Sequence, residues 1–183
     1  VCSAAHPTDG GIMASVLHDN GTHVFVHGST GGWAINHLAI TGSGITHDNT
    51  TGSYCDIAFD ADGIGYFAGA VDNQTGLVLL KSSDNFTTKS LIGTSDLGIS
   101  IPDGGTMNDV KLAIDPTSKM PVMAYSAGTV AEMWVYDNAT DGGIWTQIGA
   151  GVTVAAAERV GLAVVDTNTY VMSTTASDNT TIT

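Results

Sequence analysis

An all-β fold built from a repeated antiparallel unit is what this sequence predicts, and three observations carry that expectation. The first is composition: the 183 residues include 23 Gly, and all but two of the 18 acidic residues are Asp, the exceptions being Glu132 and Glu158. Asp and Gly favour turns, whereas the helix formers Glu, Lys and Arg are scarce. The second is a recurring small and apolar segment that ends in Asp: "SVLHD" (15–19), "DIAFD" (56–60), "KLAID" (111–115) and "GLAVVD" (161–166). The third is that each of these runs through a turn into a second apolar strand: "THVFVHG", "GYFAGAV", "PVMAYSA" and "TYVMSTT". The closing residues Asp19, Asp60, Asp115 and Asp166 stand 41, 55 and 51 positions apart, a spacing in the range of repeat architectures.

Residues 1–11 read as an N-terminal arm. The first repeat (about 12–54) turns at "DNGT" (19–22), an Asn-Gly pair suited to the positive φ of a type I′ hairpin, and adds a third strand at "WAINHLAI" (33–40). The second (about 55–107) turns at "DADG" (60–63) and "DNQTG" (72–76), then continues through "LVLLKSSD" (77–84) to a weaker fourth strand, "TKSLIGT" (88–94). The third (about 108–160) continues through "MWVYDNAT" (133–140) and "IWTQIGA" (144–150). Between the third and fourth repeats, "TVAAAERVG" (153–161) is Ala-rich and is the one helix candidate, though short. A partial repeat fills 161–183.

Four strands joined by turns every 40–50 residues are the grammar of a β-propeller blade, with a β-sandwich as the alternative. Ala58, Ala113 and Ala163 recur in the first strand, where neighbouring blades crowd together at the axis. The count is three and a half to four blades. Four are reached if "VCSAAH" pairs with the last repeat. Otherwise the chain completes itself against another copy or against the remainder of a larger chain, because an open end exposes a strand edge and an apolar sheet face.

The stretch "SSDNFTT" (82–88) places Ser82, Asp84 and Thr88 in the pattern Ser-x-Asp-x-x-x-Thr. It resembles the Asp-box, or BNR, repeat of sialidase-like propellers, Ser-x-Asp-x-Gly-x-Thr-Trp, with Phe86 in place of the Gly and Lys89 in place of the Trp. "TDGGIW" (140–145) keeps Asp141, Gly143 and Trp145 at the matching turn of the third repeat. The resemblance, through the blade grammar and this motif, runs over nearly the whole chain. It implies a propeller in which the box is a structural turn away from the catalytic face. It does not imply sialidase activity, since sialidases hold the substrate carboxylate with three Arg and Arg159 stands alone here.

Charge narrows the partners. Only five residues are Lys or Arg and the net charge is −13, which argues against nucleic acid and anionic membranes, since both need clustered basic side chains. No apolar stretch approaches the roughly 20 residues of a membrane span. No basic-then-apolar leader comes after Val1, so any signal peptide is expected to have been removed or never to have been present. Six Asn residues occupy Asn-x-Ser/Thr sequons: Asn20, Asn49, Asn73, Asn85, Asn138 and Asn179. Chance would give about two, so glycosylation and an extracellular or cell-surface location are expected. The competing reading is that Asp-Asn-x-Thr makes good turns. Cys2 and Cys55 are either a disulfide tying the arm to the second repeat or two buried thiols.

Candidate site residues are few. Glu158 and Arg159 fall on the connection into the fourth repeat, on the face where propellers bind ligands; a local ion pair is the plainer reading. Trp33, Trp134 and Trp145 would offer a sugar an aromatic platform, although strand positions more often bury Trp. All six His lie before position 48, and His18 and His23 should face each other across the first hairpin, with no third ligand evident. "DADG" resembles the start of a calcium loop but lacks its further ligands. No cofactor is expected, calcium being the weak exception. No nucleophile elbow occurs, and "GIGYFAG" (63–69) runs into a strand rather than a phosphate-binding helix. The leading expectation is a non-catalytic extracellular propeller with a structural or adhesive role in a surface or filamentous assembly. Its alternative is a carbohydrate-binding or glycoside hydrolase-related propeller domain.

Overall fold

The computed structural model describes residues 1–17, 23–29, 31–37, 54–71, 76–88, 90–92, 107–137, 143–153, 157–166 and 168–176, all strand or turn with no helix among them. Four antiparallel sheets succeed one another along the chain. The first runs in the order β1 (Cys2–Ala5), β2 (Ile12–Leu17), β3 (His23–Ser29) and β4 (Gly32–His37). The second is β5 (Cys55–Phe59), β6 (Gly65–Val71), β7 (Gly76–Ser82) and β8 (Ser90–Leu91). The third is β9 (Met107–Ile114), β10 (Pro121–Ala127), β11 (Val130–Asp137) and β12 (Ile144–Gln147), with β13 (Val152–Thr153) also on β11. The fourth is a hairpin of β14 (Ala157–Asp166) and β15 (Thr169–Ala176).

Two expectations are corrected. The described residues of the Ala-rich stretch 153–161 are strand and not helix: Thr153 belongs to Val152–Thr153 and 157–161 to Ala157–Asp166, which pairs with β15. A nine-residue segment is too short to offset helix nucleation, and pairing plus burial of Ala157 and Val160 decides the outcome. Among the described residues the arm is not a strand partner of the last repeat. Residues 2–5 form β1, which pairs with β2 in the register Cys2↔Ser15 to Ala5↔Ile12, so the nearest sheet edge takes it.

The sheets pack through their leading strands: β1 and β2 against β5, β5 and β6 against β9, and β9 and β10 against β14. Strands in the middle of this stack are covered on both faces. In β7, Val78 and Leu80 face the first sheet with Phe67, whereas Leu77 and Leu79 face the third with Tyr66 and Ala68, and all are at most 2% exposed. That explains why "LVLL" reads as an unbroken apolar run. In β2, by contrast, Met13 and Ser15 are buried while Ile12 and Val16 are 50% and 39% exposed, because one face of the first sheet has no neighbouring sheet among the described residues. Cys2 of β1 and Cys55 of β5 form a disulfide with Cα atoms 5.7 Å apart.

Candidate functional site

Two of the recurring Asp residues, Asp60 and Asp115, are turn-builders. Asp60 Oδ1 accepts the backbone N–H of Asp62 at 3.0 Å and of Ile64 at 2.8 Å, closing the β5–β6 connection. Asp115 Oδ1 accepts those of Thr117 and Ser118 at 2.8 and 2.9 Å, closing the β9–β10 connection. Its second oxygen accepts the hydroxyl of Tyr170, at 2.9 Å, from the fourth sheet. Burial works against the Asp115 charge, but these N–H and O–H donors outweigh it and hold its pKa below the ordinary carboxylate value. "DADG" is thus a turn whose Asp62 meets Lys119 of the third sheet. Asp19 lies outside the described residues.

Two further carboxylates join one sheet to the next. The first strand of each sheet has an edge, whose N–H groups need partners. Asp56 Oδ2 accepts the Leu112 N–H of β9 at 2.7 Å, and Asp109 Oδ2 accepts the Val160 N–H of β14 at 3.2 Å. Desolvation raises the Asp56 pKa, and the Leu112 N–H offsets this only in part. In the third sheet Glu132 Oε2 accepts the Tyr125 hydroxyl at 2.7 Å and the Trp134 indole N–H at 3.1 Å. Burial, and then this carboxylate, push the Tyr125 hydroxyl pKa far up.

"SSDNFTT" satisfies itself. Ser82 Oγ donates to Asp84 Oδ1 at 2.9 Å and accepts the Phe86 N–H at 2.8 Å. Asp84 accepts the Thr88 N–H on one oxygen at 2.8 Å and the Thr88 hydroxyl on the other at 2.6 Å. The Thr88 hydroxyl, together with the N–H donors of the turn, lowers the Asp84 pKa against the cost of desolvation. Asn85 and Phe86 adopt φ of 57° and 59°, and Phe86 is fully buried, stacked on Phe25 at 4.5 Å. The side chain at the position held by Gly in the Asp-box pattern is therefore a core anchor, which the sequence did not announce.

Glu158 and Arg159 stand near the start of β14, exposed, rather than on a loop. With Tyr54 and Asn108, from the starts of the second and third sheets, they line a polar hollow of about 260 Å³. Asn108 is fixed there by donating its amide to the Ala157 carbonyl at 2.6 Å. A guanidinium, a carboxylate, an amide and a phenol suit hydrogen bonding to a polar ligand. Glu158 is the single carboxylate among the described residues of this lining, whereas glycoside hydrolysis uses two.

The other candidates scatter. Trp33 is 69% exposed on edge strand β4. Trp145 is half-buried against Tyr136 at 5.3 Å and donates its indole N–H to the Ile92 carbonyl, while Trp134 is tied to Glu132. Asn85 sits half-buried in the box turn; Asn20, Asn49, Asn73, Asn138 and Asn179 lie outside the described residues, as do His18 and the side chain of His23. Sequence reasoning missed a different histidine pair. The Asp9 carboxylate stands between the two rings, one oxygen 3.1 Å from His6 Nδ1 and the other 2.9 Å from His27 Nε2, and the His6 ring meets Phe59 edge-on at 4.8 Å. The Gly11 N–H, bound at 2.8 Å, and the two imidazoles lower the Asp9 pKa against the cost of its desolvation. The turn signal "TDGG" (8–11) was the only hint. Among the described residues no three His, Cys, Asp or Glu side chains form a metal site, and here the two imidazoles face separate oxygens. Comparison of the sequence with models of known protein families returns no match, and neither does comparison with curated proteins.

Proposed function

We propose that the chain is a non-catalytic, extracellular β-propeller module with a structural or adhesive role in a surface or filamentous assembly. One observation carries this reading. The buried carboxylates among the described residues, Asp60, Asp109, Asp115 and Glu132, are each bound to groups of the fold itself. Carboxylates so engaged build turns and joints, and ligand chemistry would have to break those joints to use them. The succession of antiparallel sheets packed through their leading strands suits a propeller, as it also suits a sandwich-like arrangement, and the Cys2–Cys55 disulfide supports an oxidising compartment.

Carbohydrate binding is the second reading, favoured by the exposed Trp33 and the polar hollow at Glu158 and Arg159. A glycan array combined with a panel of aryl glycosides separates the two. The structural reading expects neither turnover nor saturable binding. Binding that disappears in Trp33→Ala or Arg159→Ala, with melting temperature unchanged, would replace it with the second reading.

A further inference from the structure

The third and fourth sheets carry the same surface, and only one of the two surfaces is covered. The second strand of the third sheet reads Val122-Met123-Ala124-Tyr125-Ser126-Ala127, and that of the fourth reads Val171-Met172-Ser173-Thr174-Thr175-Ala176. Their pairing matches as well: Val122 lies opposite Ala113, and Val171 opposite Ala163. Alternation then puts Val122, Ala124 and Ser126 on one face of the third sheet, and Val171, Ser173 and Thr175 on the equivalent face of the fourth. The first face is fully buried: Ala124 and Ala131 pack with Ala157, Val160, Leu162 and Met172 of the fourth sheet. The second is bare, with Val171 51% exposed and Ala163 and Ser173 exposed beside it. A shallow surface of small side chains, bounded by Arg159 opposite Thr175, that receives a sheet at one repeat is thus presented again at the next, uncovered among the described residues.

The opposite end of the stack offers what such a surface receives. On the outward face of the first sheet, Ile12, Ala14 and Val16 of β2 stand opposite Gly28, Val26 and Val24 of β3, and Trp33 of β4 stands opposite Gly28. Gly28 has no side chain, and the indole lies over it; a Cβ there would come within 2.5–2.7 Å of the ring. Trp33, Ile12 and Val16 are 69%, 50% and 39% exposed. Every side chain named on this face is uncharged. Large apolar residues projecting onto small ones is the arrangement already used inside the chain, where Val160, Leu162 and Met172 meet Ala124 and Ala131.

We propose that the bare face of the fourth sheet, centred on Ala163, Val171 and Ser173, docks the outward face of the first sheet, centred on Ile12, Val16 and Trp33, of a second copy of this chain. The contact is head-to-tail and continues the internal stack from copy to copy, so it generates a ring or a filament according to the rotation per step. This rests on the structural role proposed for the chain for its biological sense, and it names the partner and the two faces. The net charge of −13 makes neighbouring copies repel, so screening by salt strengthens the association.

Sedimentation of the full chain over a hundredfold range of concentration, at low and high salt, tests the proposal. Wild type should form species larger than a monomer, more so at high salt. Val171→Glu and Val16→Glu should each weaken association roughly tenfold or more, since each buries an unpaired charge in an apolar contact. Both positions face solvent, and near-ultraviolet circular dichroism verifies that each variant is folded. An equimolar mixture of the two variants is decisive: each retains one intact face, so they should form a 1:1 dimer and nothing larger. A wild type that stays monomeric at every concentration and salt overturns the proposal, and so do variants that assemble like wild type or a mixture that fails to dimerise. None of these outcomes depends on glycan binding, so this proposal and the proposed function fail separately.

Discussion

Between the first and second sheets, a disulfide joins Cys2 to Cys55, and Phe25, Phe67 and Phe86 interlock with Met13, Ile57, Val78 and Leu80. Between the third and fourth, the buried apolar cluster among the described residues is the smaller set Ala124, Ala131, Ala157 and Val160, with Leu162 and Met172 partly buried against it. Polar joints stand in for the missing bulk there: Asp109 to the Val160 N–H, Asn108 to the Ala157 carbonyl and Tyr170 to Asp115. One end of the stack is therefore held by chain entropy and apolar area, the other by hydrogen bonds to specific backbone groups. Buried area degrades gradually when a side chain is trimmed, whereas a joint fails when a single acceptor is lost. The fourth sheet should separate first under stress.

The largest expected effect breaks the first end. The disulfide closes a sequence separation of 53 residues, for which unfolded-chain entropy gives about 4 kcal/mol. Cys55→Ser should lower the unfolding free energy by roughly that amount, read by urea denaturation against oxidised wild type. A change below about 1 kcal/mol would mean that the aromatic cluster alone secures the first sheet.

Next in size is the joint at the other end. Asp109→Ala leaves the Val160 N–H buried without its acceptor, a cost of about 1–3 kcal/mol. Hydrogen exchange should accelerate along β14 and β15 while the amides of β6 and β7 keep their protection. Asp109→Asn retains an acceptor oxygen and should recover much of the loss. Equal acceleration in all sheets would show that the stack unfolds as one unit, and the contrast between its ends would be void.

These ends differ in how far the sequence announced them. The Asp that closes each short strand, the turn chemistry of "DADG" and the strand character of "LVLL" all obey local rules, and Asp60, Asp115 and β7 bear them out. The staple was visible as a pair of cysteines with two open readings. Asp56 and Asp109 were not visible as joints, because their acceptors serve N–H groups 56 and 51 residues away, and nothing local marks such a partner. Helix propensity misled over the described part of 153–161, where pairing of 157–161 with β15 outweighs it. The hollow at Glu158 and Arg159 was half legible: the charged pair stands out in the sequence, but Tyr54 and Asn108 join it only through the packing of three leading strands.

Acid sharpens the comparison with the smallest expected effect. Asp115, which ties the β9–β10 turn to Tyr170 of the fourth sheet, has its pKa lowered in the fold, whereas Asp56, which ties the second sheet to the third, has its pKa raised. A lowered carboxylate contributes stability that is present above the unfolded value, about 4, and is lost as pH falls through the lower folded value. A raised one behaves oppositely: its charge is a burden near neutral pH, and protonation relieves it as pH falls through the raised value. Falling pH below about 4 should therefore weaken the joint to the fourth sheet while sparing, or slightly favouring, the joint between the second and third. The Leu112 N–H can still bond the carbonyl oxygen of a neutral Asp56. Amide exchange, corrected for its intrinsic pH dependence, reads both joints at once. Protection of Thr117 and Ser118 should fall over this range while that of Leu112 persists; simultaneous loss at all three would show that acid acts on the whole stack and not on the Asp115 joint.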